Sequence, residues 1–178
     1  MSVDASPVGA AADPAATVAR YREAVERQDV DALIATLSPD VEMFSPISQR
    51  ALLRGRPTIR DVVAAVFANV EEMQVVDEIA TADGRRRVLY LRGHLRGGQP
   101  VEESAWLRFD NAGLVAELTL FIRPLSALTA LVAAMGPPLA ARRGRLRVWV
   151  TVALTRPIAF ITGRGEPLAL HLTGVQRR

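Results

Sequence analysis

Residues Arg86 to Ile122 read RRVLYLRGHLRGGQPVEESAWLRFDNAGLVAELTLFI, and this stretch decides the fold. Gly97-Gly98 and Asn111-Ala112-Gly113 supply residues that tolerate positive φ where a reversing chain requires it, so the stretch reads as three antiparallel strands joined by two tight turns. Asp83-Gly84 marks another reversal just upstream. Between the turns the side chains sort by parity. Leu89, Leu91, Gly93 and Leu95 share one face of the first strand, opposite Arg92, His94 and Arg96. Ala105, Leu107 and Phe109 alternate with Ser104, Trp106, Arg108 and Asp110 in the second. Leu118, Leu120 and Ile122 oppose Glu117, Thr119 and Phe121 in the third. One face is almost wholly apolar, and a curved sheet with such a face must be covered by helices.

Working outward, the N-terminal half supplies those helices. Val18, Tyr21 and Val25 recur at helical spacing between Ala15 and Gln28, giving an amphipathic first helix. Asp29 can cap a second, carrying Leu33, Ile34 and Leu37, which Ser38-Pro39-Asp40 ends because proline disfavours helical geometry in the residue before it. Val41 to Ile47 reads as a short strand. Gly55-Arg56-Pro57 introduces a third helix with the stripe Ile59, Val62, Val63, Val66, Phe67 and Val70, and a strand around Glu72 to Ala80 leads into the meander.

Composition narrows the function. The 178 residues suit one domain plus appendages, enough to hold a core. With no cysteine, disulfides, thiolate chemistry and zinc–sulfur sites are all excluded, and nothing points to a secreted scaffold. The start of the chain lacks a basic segment followed by an apolar core, so no signal peptide is expected and a cytoplasmic location is. With only His94 and His171 as histidines, no metal site and no cofactor are expected. The net charge of +3 hides an asymmetry: residues 1–123 hold 14 Arg against 18 acids, while residues 124–178 hold 8 Arg against the single Glu166. A basic tail admits anionic lipid, nucleic acid or a plain solvated surface. No nucleic-acid reading motif accompanies the arginines, so nucleic acid is not expected as a partner.

The runs Val18-Ala19-Arg20-Tyr21, Gln28 to Leu33, Ser38-Pro39-Asp40-Val41-Glu42-Met43-Phe44-Ser45-Pro46 and Leu53 to Arg60 resemble a SnoaL-like protein of the nuclear transport factor two superfamily, which also holds ketosteroid isomerases, polyketide cyclases and limonene epoxide hydrolases. The resemblance covers roughly residues 16–123. It implies an α+β cone, a curved antiparallel sheet wrapped around three helices with a deep apolar pocket. Residues 1–15 then form a flexible arm, residues 16–123 the cone domain, and residues 124–178 an extra apolar and basic tail.

The resemblance also tests the site residue by residue. Tyr21 falls on the isomerases' oxyanion-donor tyrosine, but Ser45 falls where their base belongs and Ala105 where their second donor belongs. The acid/base pair of the cyclases corresponds to Leu120 and Ala105. Neither dyad is present, so whether the chain is an enzyme stays open. A serine without a basic partner does not abstract a carbon-bound proton, and alanine donates nothing. What the parity leaves is an apolar pocket lined by Met43, Ser45, Phe67, Leu91, Ala105, Leu107, Leu118, Leu120 and Ile122, with Tyr21 at its floor and Glu103 near its rim. Glu103 is the one carboxylate of inward parity. It reads either as a general acid/base or, the favoured reading from sequence, as a solvated strand-end residue beside Pro100. Tyr21 reads either as a donor or as a core tyrosine.

The expected ligand is therefore a small hydrophobic molecule, polyketide-, terpenoid- or steroid-like, bound and isomerised or cyclised without metal. The alternative is a non-catalytic protein docked to a membrane or a partner through its tail. Tyr90, Trp106 and Phe121 among charges on the outer sheet face fit a homodimer interface. In the tail, Leu125, Leu128, Leu131, Val132 and Met135 form a stripe that Gly136-Pro137-Pro138 is expected to terminate, too short and broken to span a bilayer. A lid over the pocket or the partner subunit and a peripheral membrane contact compete for residues 124–178.

Overall fold

The structure, a computed structural model, describes residues 13–141 and 155–165. Helix α1 (Pro14–Glu26) starts at a cap in which Asp13 accepts a hydrogen bond from the Ala15 amide at 3.0 Å. The arm expected over residues 1–15 thus ends sooner, because Pro14 and Ala15 already belong to the helix; residues 1–12 lie outside the described residues. Helix α2 (Val30–Ala35) is capped by Asp29, which accepts from the Ala32 amide at 2.9 Å.

Leu37, expected in that helix, instead opens strand β1 (Leu37–Phe44). The Thr36 hydroxyl donates to the Leu33 carbonyl at 2.6 Å at the helix end, and Leu37 pairs with Val115 of a distant strand. A long-range pairing of this kind leaves no local signal. Strand β2 (Leu52–Arg54), too short to show a pattern, pairs antiparallel with β1. Helix α3 (Arg56–Phe67) follows Gly55, whose φ of 78° favours glycine, and takes Pro57 in its first turn. It ends before Val70, which begins strand β3 (Val70–Ala80) rather than extending the helical stripe. The Asn69 amide donates to the Ala65 carbonyl at 2.8 Å beside that end.

The meander is as expected: β4 (Arg86–Leu95), β5 (Pro100–Phe109) and β6 (Val115–Arg123). The open, curved six-stranded sheet runs β2-β1-β6-β5-β4-β3. Every pairing is antiparallel except β1 with β6, so the sheet is mixed rather than antiparallel throughout. Side-chain parity shows which face is apolar but not which strand closes beside which.

The apolar face meets α1, α2 and α3 in one core, where Leu37, Val41, Ile59, Leu89, Ala105 and Val115 have no exposure at all. Each fully buried aliphatic side chain of this kind contributes about 1.5–3 kcal/mol. One local irregularity shapes the interior. Glu72 has φ 55°, and the β3–β4 register shifts between Glu71 and Gln74, a bulge that turns Met73 inward onto Gly93. A Cβ on Gly93 would stand 2.9 Å from the Glu71 carbonyl oxygen and 3.0 Å from Met73 Cα, besides 2.5 Å from Met73 Sδ, so the β3 backbone itself leaves room only for glycine there.

Helix α4 (Leu125–Ala141) continues through Gly136-Pro137-Pro138, which was expected to end it. The φ that proline fixes is helical, and what the prolines remove is two backbone donors. The helix packs on α3 and β6 and buries Ala127 and Leu131. The Gln99 amide donates to the Ser126 hydroxyl at 3.1 Å, tying α4 to the β4–β5 turn. A further helix, α5 (residues 155–165), touches α4 through the hydroxyls of Thr129 and Thr162, 2.6 Å apart. Among the described residues no helix is long and apolar enough to cross a membrane.

Candidate functional site

Between the sheet and the helices the core leaves a cavity of about 70 Å³, room for about two water molecules. Each wall comes from an element already described. Tyr21 and Val25 project from α1, Leu33 from α2, and Val62, Val63, Val66 and Phe67 from α3. The sheet adds Met43, Val70, Met73, Leu91, Glu103, Leu118, Leu120 and Ile122. Tyr21 and Glu103 are the only ionisable groups among these lining residues.

A second chamber of about 320 Å³ shares Met43, Val62, Val66, Leu120 and Ile122 with the first. The β1–β2 connection closes it with Ser45, Pro46, Ile47 and Ala51, β2 adds Leu53, and α4 closes the other side with Leu128, Leu131, Val132, Met135 and Gly136. The site is thus an apolar outer chamber stacked on a small inner one that carries the polar groups.

The two polar groups are tuned by their surroundings. Burial pushes the Glu103 carboxyl up to about 7, because the charged form loses water without gaining a compensating cation. Burial, and then the charge of Glu103, pushes the Tyr21 hydroxyl well above the usual phenol range. Near neutral pH the site therefore holds a phenol that stays protonated beside a carboxyl that exchanges its proton readily.

The expected pocket residues divide into three groups. Met43, Phe67, Leu91, Leu118, Leu120, Ile122, Tyr21 and Glu103 line the inner cavity. Ser45 lines only the outer chamber, and its hydroxyl is engaged locally, accepting from the Ile47 amide at 3.2 Å. Ala105 and Leu107 are buried but reach neither chamber, because they pack beside Leu89 and Leu118 in the solid part of the core. Sequence parity missed Val25, Leu33, Val62, Val63, Val66, Val70 and Met73. The helical stripes of α1, α2 and α3 were visible, but not which of their apolar residues would border space. Met73 in particular depends on the bulge.

A larger hollow lies elsewhere. A groove of about 750 Å³ beside β3, β4 and β5 is open and polar: Arg92 pairs with Glu102 at 3.6 Å, His94 Nδ1 lies 3.6 Å from a Glu72 carboxylate oxygen, and the Glu26 carboxylate accepts from the Val75 amide at 3.4 Å. His94 lies away from the inner cavity, as its parity implied. No group of His, Asp and Glu fit to hold a metal occurs among the described residues.

Comparison with known proteins agrees with this architecture. The profile of the SnoaL-like domain family matches residues 18–118. A crystal structure of a steroid delta-isomerase from Pseudomonas aeruginosa is 30% identical, with a TM-score of 0.66 over 74% of this chain and 95% of that one. A protein with a cystatin-like fold from Silicibacter pomeroyi DSS-3 is 23% identical, with a TM-score of 0.64 over 71% of this chain and 88% of that one. SalBIII, an epoxide hydrolase/cyclase-like enzyme of pyran ring formation in polyether salinomycin, is 16% identical, with a TM-score of 0.54 over 64% of this chain and 92% of that one. The last two show likeness of fold alone. No curated protein matches the chain.

Proposed function

This chain belongs to the SnoaL-like domain family, and we propose that it binds a small hydrophobic molecule in the two chambers and moves a proton on it. The observation that carries this reading is Glu103, the one carboxyl lining the inner cavity, poised near neutrality by burial. An apolar ligand body fills the outer chamber, and a single carbonyl reaches the inner one. Glu103 as carboxylate takes the proton from the carbon beside the carbonyl. In a ligand that carries a C=C bond one carbon removed from the carbonyl, the C–H electron pair moves into a dienolate, whose oxygen accepts a hydrogen bond from Tyr21. The carboxylic acid of Glu103 returns the proton to the far carbon of the former double bond, which shifts into conjugation. The net result is an isomerisation that consumes nothing. The isomerase-type base position, Ser45, takes no part.

The test uses 2-tetralone, a bicyclic ketone, and follows exchange of its acidic protons in D₂O by NMR. The expected result is acceleration by the protein that vanishes in Glu103→Gln and weakens in Tyr21→Phe. Saturable binding of the ketone without acceleration would remove the proton transfer and leave a carrier. No binding would remove the pocket reading itself.

We infer in addition that two copies associate through the outer sheet face. Trp106 and Phe121 stand 54% and 53% exposed with ring centroids 5.6 Å apart. Arg92 and Arg108 share this face with Glu102 and Glu117, so both signs of charge are present and the surface can meet its own copy. Tyr90 contributes less, since Arg92 lies over its ring at 5.1 Å and donates to its hydroxyl at 3.0 Å.

A further inference from the structure

Helix α5 leaves large apolar side chains bare. Ile158, Phe160 and Ile161 are 53%, 60% and 66% exposed, and Arg156 and Arg164 stand exposed among them, Arg164 with its guanidinium 4.7 Å from the Phe160 ring centre. At 3.6 residues per turn Phe160 and Arg164 fall on the side opposite Thr162, the residue that holds α5 to α4, Arg156 and Ile161 flank that side, and Ile158 stands one turn before Thr162 on its own side. Leu125, at the start of α4, is also 64% exposed. Large aliphatic and aromatic side chains left bare on a helix whose only described charges are arginines form an unusual water-facing surface. They make an ordinary surface for a bilayer, where the apolar groups enter the acyl boundary and the guanidinium groups stay among phosphates.

We propose that α5 docks the protein onto an anionic lipid surface, with Phe160 and Ile161 inserted and Arg156 and Arg164 among the headgroups. Charge selects lipid of negative headgroup: residues 124–178 carry 8 Arg against one Glu. Exposed Phe and Ile select lipid over an acidic protein surface, which would match the arginines but leave these residues in water. Among the described residues no helix is long and apolar enough to cross a membrane, and the contact proposed is peripheral.

The docking also has a consequence for the site. Helix α4 meets α5 through Thr129, while its Leu131 and Val132 wall the outer chamber. A lipid surface under α5 therefore sits one helix away from the chamber and would supply apolar ligands from the membrane. This consequence rests on the pocket reading; the docking itself does not.

Sedimentation of the full chain with vesicles of phosphatidylcholine alone, and of an equal mixture of phosphatidylcholine and phosphatidylglycerol, tests the docking. The expected result is binding to the mixed vesicles that falls as salt rises. Phe160→Asp/Ile161→Asp should weaken it at least about tenfold. Arg156→Glu/Arg164→Glu should weaken binding to the mixed vesicles on the order of tenfold and remove the preference for them. All these positions are exposed, so thermal melts and 2-tetralone exchange in vesicle-free solution should match the unaltered protein. Absence of binding to the mixed vesicles, or binding indifferent to the Phe160 and Ile161 changes, would overturn the proposal. Failure of ketone exchange with vesicle binding intact would strike the pocket reading and leave the docking standing.

Discussion

Tyr21 of α1 and Glu103 of β5 line the same cavity of about 70 Å³, and after burial itself it is the charge of Glu103 that keeps the Tyr21 hydroxyl protonated. A donor that cannot ionise beside a carboxyl that titrates near neutrality is an arrangement with consequences for stability, for pH dependence and for ligand choice.

Stability should fall as pH rises through the range in which Glu103 ionises. Its folded pKa of about 7 lies above the ordinary carboxyl value of 4.5, so between these values the folded state holds a proton that the unfolded state has released. The favourable contribution of the neutral carboxyl is complete below the unfolded value and is lost as pH passes the folded one. Glu103→Gln removes the ionisation. Denaturant melts at about pH 5, near the foot of that window, and at about pH 8, above it, should show the variant gaining about 1–3 kcal/mol on the unaltered protein at the higher pH. An unchanged difference between the two proteins would mean that Glu103 is solvated.

The rate of ketone proton exchange should follow the carboxylate form of Glu103. It should rise with pH through about 7 and level off above it. A flat profile would place the base elsewhere.

Tyr21→Phe tests the donor without opening a cavity, since it deletes one oxygen from a residue only 3% exposed. Losing a hydrogen bond to a carbonyl costs about 0.5–1.5 kcal/mol, and more when the oxygen carries charge. Ketone affinity should therefore drop a few-fold and the exchange rate more, measured by titration and by NMR on the same samples. Equal losses in both would make Tyr21 a binding group only.

Val132→Trp should fill the outer chamber from α4 and abolish ketone binding while the far-UV spectrum stays unchanged. Retained affinity would show that ligands bypass that chamber.

Gly93→Ala should destabilise the fold by about 1–3 kcal/mol, because the new methyl would meet the Glu71 carbonyl oxygen at 2.9 Å and Met73 Cα at 3.0 Å as well as the more yielding Met73 Sδ at 2.5 Å. Met73→Ala in the same chain should recover part of that loss, and a double-mutant cycle reads the coupling. Purely additive effects would separate the two positions.

How much of this was legible in the residues follows from the range over which each feature is decided. The meander between Arg86 and Ile122, the helix from Arg56 and the inward parity of Glu103 are written in turn residues and in periods of two and 3.6, both set by backbone geometry within a few residues. Tertiary structure alone decided that Leu37 leaves α2 to run parallel with β6, that the bulge at Glu72 drives Met73 onto Gly93, and that Ala105 and Leu107 pack solid while Glu103 borders space. It alone also decided that α4 passes its prolines to wall the outer chamber. Local chemistry determines which face of an element is apolar. Where that face leaves a void, and how far burial lifts the one carboxyl beside it, depends on how elements distant in the chain close against one another.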